Sequence, residues 1–210
     1  MKRTSFLTGL VAIVLVAGIA SGSTIVYSTN YSESNPIQDP VYTFTFNQFD
    51  SDAGPVDYFL TKVTITFTAQ QSTSVAFENG TTSEVTTAPE LSGGLVQLSG
   101  TGGVSYFSFL STAPISDHTF AANEGGGQVY SQDGADYYDF GSIESDTYAP
   151  TATVLTGDLS AFEGTGDISY DMTSVGSWVL SGVGDAQSTI SDYITAGTLT
   201  VEYEYTPEPA

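Results

Sequence analysis

Asp133, Asp136 and Asp139 recur at spacing three in SQDGADYYDFGS (131–142), a stretch broken by glycine. Asp50, Asp52 and Asp57 form a similar set in FDSDAGPVD (49–57). Hard cations such as calcium take about six to eight oxygens from carboxylates and carbonyls, and flexible acidic loops supply them. Neither stretch has the ligand order of an EF-hand loop or of a nonapeptide calcium repeat. Two readings therefore stand for each loop: a calcium site, or acids that simply face water.

The rest of the chemical inventory is thin. His118, in SDHTF, is the one histidine, and there is no cysteine. Zinc asks for three or four nitrogen, sulfur or carboxylate ligands, so a zinc site is not expected. Asp117 and His118 are neighbours and point to opposite faces of a strand, which does not suit a catalytic relay. No Gly-x-Ser-x-Gly elbow accompanies them. A glycosidase pair would need two acids held apart in a cleft with aromatic walls, which spacing alone does not reveal. Trp178, in GSWVLSG, alternates in phase with Leu180 and reads as core, with a sugar-stacking platform as the other reading. No catalytic residue is assigned, calcium is the only cofactor considered, and the chain is expected not to be an enzyme. Asn30-Tyr31-Ser32 and Asn79-Gly80-Thr81 have the form of glycosylation sequons, which matter only in a host that glycosylates.

Such residues must be held by strands. In FLTKVTITFTA (59–69), Phe59, Val63, Ile65, Phe67 and Ala69 share one face, and Lys62 and three threonines share the other. VYTFTF (41–46) sets Tyr42, Phe44 and Phe46 against Val41, Thr43 and Thr45. TLTVEYEYT (198–206) turns Leu199, Val201, Tyr203 and Tyr205 inward. VSYFSFL (104–110) and DISYDMT (167–173) are shorter examples. Period two with apolar residues on one face marks half-buried strands. Glycine turns at close intervals separate them, as in Asn79-Gly80, Gly102-Gly103 and Gly164-Thr165-Gly166. The expectation is an all-β chain: one β-sandwich or jelly-roll-like domain over 41–206, mostly antiparallel, with any helix limited to a turn or two near 158–162. Residues 81–94 read as a polar loop or edge strand. Residues 23–40 read as a loosely held leader and a candidate donor strand for another chain.

Charge narrows the partners. The chain carries 24 acids against 3 Lys and Arg, a formal charge of −21. Nucleic acid is excluded, since little is available to neutralise phosphates. The acids face water, reflect a high-salt habitat, or bind divalent cations.

Residues 1–22 (MKRTSFLTGLVAIVLVAGIASG) have a basic start, an apolar run and a small-residue end, the layout of a secretory signal peptide. The run is about 15 residues, short of the roughly 20 that span a bilayer as a helix, so stable membrane insertion is not expected after cleavage. Cleavage would remove Lys2 and Arg3 and leave Lys62 as the one cation. An exported chain without disulfides must rely on its core, and 13 Tyr and 12 Phe supply the area.

FTFNQFDSDAGPVDYFLTKVTITFTA (44–69), AFEGTGDISYDM (161–172), SWVLSGVGD (177–185) and GTLTVEYEYTPEP (197–209) together resemble the bacterial choice-of-anchor secreted domains, type E in particular, over roughly 41–209. Members of that family usually end in a sorting tail. One form is Pro-Glu-Pro, a membrane-spanning helix and a basic cluster, read by an exosortase. Pro207-Glu208-Pro209 matches the first part, and residues 207–210 read as a relic of such a tail without its helix or basic cluster. The resemblance implies a secreted or cell-surface location and brings no catalytic residues.

The expected function is a non-catalytic structural or adhesive protein of the cell surface or extracellular matrix, partnered with itself or other matrix components and self-assembling by strand addition into a filament or layer. The alternative is a monomeric calcium-dependent glycan-binding module, followed by a glycoside-active enzyme.

Overall fold

The computed structural model describes residues 22–34, 41–53, 57–113, 115–123, 134–180 and 183–207. Its strands are β1 (Ser23–Ser34), β2 (Val41–Asn47), β3 (Tyr58–Asn79), β4 (Val85–Thr87), β5 (Pro89–Gly100), β6 (Val104–Phe109), β7 (His118–Phe120), β8 (Tyr137–Glu144), β9 (Thr153–Leu155), β10 (Asp167–Leu180) and β11 (Ala186–Pro207). One sheet runs β1-β11-β3-β8, with β9 also paired to β3; the other runs β2-β10-β5-β6; β4 and β7 form a small third pair. Every ladder between these strands is antiparallel. The chain is therefore an all-β sandwich. A 3-10 turn at Ser160–Phe162 is the short helix that the sequence places near 158–162. Asp158 Oδ1 accepts the Ser160 hydroxyl (2.7 Å) and amide (3.1 Å) there, which lowers its carboxyl pKa. Among the described residues, no helix is long and apolar enough to cross a membrane. Of the expected signal peptide 1–22, residues 1–21 lie outside them.

Period two governs what is buried. Phe44, Phe46, Ile65, Phe67, Leu199, Val201 and Tyr203 are all in the core, as the alternation requires. Burying side chains of this size contributes roughly 1.5–3 kcal/mol each. Tyrosines complete the packing by reaching backbone carbonyls: Tyr106 donates across the sandwich to Ile65 (2.7 Å) and Tyr203 to Asn47 (3.0 Å), while Tyr31 donates to Thr68 (2.9 Å) within one sheet. Burial raises the hydroxyl pKa of Tyr31, Tyr170, Tyr193 and Tyr203 well above 10.0. Gly197 is required where β11 meets β3. A Cβ there would lie 2.0 Å from the Thr68 carbonyl oxygen and 2.7 Å from the Tyr31 hydroxyl.

Two expectations are corrected. Phe59 is not on the core face: it is 61% exposed, and Leu60 is buried instead. The β3–β11 register shifts between Glu204 and Tyr205, so Thr61 is an extra residue that reverses the phase before it. Residues 23–34 are not a loose leader, because β1 pairs with β11 from Ser23–Tyr205 to Ser34–Ile194. Apolar Ile25 and Tyr27 dock on the core, which holds the strand in place. Segment 81–94 keeps the expected edge character: it contains β4, paired with β7 alone, and the start of β5, which pairs there with β10 and meets β6 only from Leu95.

The interior is divided. A large cluster includes Phe44, Phe67, Tyr170 and Tyr203. A smaller one, at the other end of β3, β10 and β11, gathers Val75, Phe77, Phe120, Ile143, Trp178, Leu180 and Tyr193. Buried polar side chains, Gln71, Thr73, Ser174 and Thr195, come from the stretches of strand between the two.

Candidate functional site

The acidic loops are placed by turns of their own making. Asp50 Oδ1 accepts the Asp52 amide at 3.1 Å, and the Ser51 hydroxyl donates to Asp52 Oδ1 at 3.3 Å. This is the local bonding that aspartate brings to a turn. Asp50 is half-buried, while Asp52 and Asp57 are exposed. Asp50 also lines a cleft of about 310 Å³ with Tyr27, Gln48 and residues 164–166. Gln48 fixes the far wall: its side chain donates to Ala161 O (3.1 Å) and accepts from the Gly166 amide (3.0 Å).

At the opposite end, Asp133 lies outside the described residues. The Asp136 carbonyl accepts the Asn79 amide at 2.8 Å. Asp139 Oδ1 accepts the Gly141 amide at 2.8 Å, where Gly141 takes φ +67. Asp136 is half-buried and Asp139 exposed. Among the described residues, no three acidic or histidine side chains gather into a metal-binding group.

His118 is a packing residue of β7. Its ring stacks on Tyr138 with centroids 3.6 Å apart and planes at 14°, and it meets Phe120 edge-on at 4.9 Å. Tyr138 is 40% exposed, so this stack gives the acidic end an aromatic surface. Trp178 is only 2% exposed and sits in the small core, so it is core and not a sugar platform. The Asn79 sequon is closed. Asn79 Nδ2 donates to Ser83 O (2.9 Å) and Ala121 O (2.8 Å), and its Oδ1 accepts from Thr81. Asn30 is exposed on β1, with its Oδ1 bonded to the Thr198 hydroxyl at 2.8 Å.

Sequence reasoning missed the most conspicuous surface. Phe107 and Phe109, on β6, are 55% and 70% exposed, with rings edge to face at 5.3 Å. Tyr106 and Leu110 hold the inward positions of the same alternation, so the two phenylalanines must face out. Strand β6 ends its sheet, and among the described residues no strand lies on its outer side. From Leu91 to Ser116 the chain has no charged residue at all, in a protein with 24 acids. That gap, together with aromatics on both phases of VSYFSFL, was the available signal.

No family model matches the chain, and no curated protein is detectably similar. Among solved structures, one of the infectious bursal disease virus Gx strain is 14% identical with a TM-score of 0.20, covering 98% of this chain and 46% of that one. The VP2 subviral particle of infectious bursal disease virus is 14% identical with a TM-score of 0.21, covering 100% and 46%. This chain thus spans less than half the length of either, and TM-scores of this size do not make the strand arrangement common to both.

Proposed function

We propose that this chain is a non-catalytic structural or adhesive protein of the cell surface or extracellular matrix, and that it self-associates edge to edge. The observation that carries this reading is the β6 edge, a strand with no neighbouring strand on its outer side among the described residues, an exposed phenylalanine pair and an uncharged flank. An open, uncharged edge is a template for pairing with another chain. β1 is held by β11 in its own chain and is not free to be donated to another, and the exposed phenylalanine pair distinguishes the β6 edge. The signal-peptide layout and the resemblance to choice-of-anchor domains support export, and Pro207-Glu208-Pro209 supports descent from a surface-sorted protein. A charge of −21 opposes assembly until salt or divalent cations screen it.

Light scattering on the exported protein across sodium chloride and calcium, with EDTA reversal and a magnesium control, tests this. Growth into large ordered species is the expected result. A protein that stays monomeric in both salt and calcium overturns it.

A second reading, a calcium-dependent glycan-binding module, is favoured by the exposed Tyr138 beside Asp136 and Asp139. Calcium-dependent retention on a polysaccharide column by a monomeric protein would select it.

A further inference from the structure

The boundary between the two cores is built from irregularities in both sheets. In β5, Gly93 and Gly94 together oppose the single Gly176 of β10, since Val175 pairs with Leu95 and Ser177 with Ser92. In β11, residues 192 and 193 together oppose Thr73 of β3, since Ser191 pairs with Ser74 and Ile194 with Ser72. Each bulge inserts one residue and reverses the strand's phase beyond it.

A polar network spans this boundary from sheet to sheet. Gln71 Nε2 donates to Ser174 Oγ (2.6 Å), Val175 O (3.2 Å) and Leu95 O (3.4 Å). Ser174 Oγ and Thr195 Oγ1 are 2.7 Å apart, and the Thr73 hydroxyl donates to Ser191 O at 2.8 Å. These three acceptors fix the amide's orientation. Turning it over would aim Oε1 at two carbonyl oxygens. Gln71 Oε1 must therefore face the other way, toward Gly176.

There it meets the Tyr193 hydroxyl. Gln71 Oε1 lies 3.0 Å, and the Tyr193 hydroxyl 2.8 Å, from the point where a Cβ on residue 176 would sit. Gln71 is fully buried and Tyr193 is 4% exposed. Neither atom has a hydrogen-bond partner, so the two converge on one space without bonding each other. Buried polar atoms left in this way carry a full desolvation penalty. A ligand that both donates and accepts, and is no larger than a water molecule, relieves both at once.

We propose that one water molecule is bound beside Gly176, donating to Gln71 Oε1 and accepting from the Tyr193 O–H. An internal water holds its place with two to four polar partners, and these are two. Glycine at 176 keeps the space open, because any Cβ would intrude between the two partners. The water closes the hydrogen-bonding of a seam that ties β3 and β11 of one sheet to β10 of the other.

Water–protein cross-relaxation NMR on the full chain tests this. The expected result is a long-lived water with cross-peaks to the Gly176 amide and the Tyr193 ring. They are lost in Gly176→Ala, and the water exchanges faster with bulk in Tyr193→Phe, which keeps the same shape should the alanine variant fail to fold. Absence of the cross-peaks in the unaltered protein, or an unchanged water signal in Tyr193→Phe, overturns the assignment. So does a high-resolution crystal structure with the Tyr193 hydroxyl bonded directly to Gln71 Oε1.

Discussion

The two ends of the sandwich share β3, β10 and β11 but are built differently. At the large core, both sheets face each other in phase, and aromatic rings from β1, β2, β3 and β11 interlock. Tyr31, for example, lies 5.2 Å from Phe44 and 6.3 Å from Phe67. At the small core, the same strands have passed through bulges, and the cover comes from β7, β8 and their loops. A short pair, β4 with β7, and a His118–Tyr138–Phe140 stack replace a full sheet. The lesson is that long strands do not make one uniform core. Register, reset by single residues, decides where a sheet can be dry.

The comparison predicts unequal responses to truncation. Phe67→Ala, in the large core, is expected to cost about 3–5 kcal/mol and to speed amide exchange throughout the molecule. Trp178→Ala removes a side chain of similar burial from the small core. Its effect is expected to concentrate in 75–79, 137–144 and 186–190, while exchange in β1 and β2 stays slow. If Trp178→Ala and Phe67→Ala release all amides together, the two ends are a single cooperative unit and the distinction fails.

Alkaline pH gives a smaller, graded effect. The buried tyrosines have folded-state pKa values above 10.0, their value when exposed. Below pH 10 both states keep the protons, and this contribution to stability is fully present. Above it the unfolded chain releases protons that the folded chain retains, so stability falls as pH rises. Denaturant midpoints should therefore be level on this account up to pH 10 and then drop. Three of the four residues, Tyr31, Tyr170 and Tyr203, belong to the large core, so its unfolding should dominate the drop. Midpoints that rise above pH 10 would contradict the assigned direction.

Much of this was legible in the sequence. Alternation alone identified the inward faces of β2 and of the 198–206 part of β11, because one residue type per face leaves a strand no choice of orientation. It failed at Phe59, where the extra Thr61 reversed the phase. It also failed at 23–34, whose pairing with the end of the chain no local pattern could show. Trp178 was read correctly as core because it shares phase with Leu180. The acidic loops were visible as composition, but their hydrogen bonds depend on turn geometry: Asp50 and Asp139 spend carboxylate oxygens on nearby amides. The β6 surface was overlooked because a strand's exposure depends on whether a neighbour follows it, and pairing order lies between elements and not within them.

Assembly through β6 requires its outward phenylalanines, Phe107 and Phe109. Sedimentation velocity on the unaltered protein and on Phe107→Ser/Phe109→Ser, in high salt and calcium, tests it most directly. The double variant changes two exposed side chains, so its stability should shift by no more than about 0.5 kcal/mol per site. The expected result is large species from the unaltered chain and a monomer from the variant under the same conditions. Equal assembly by both, or monomers from both, would contradict it.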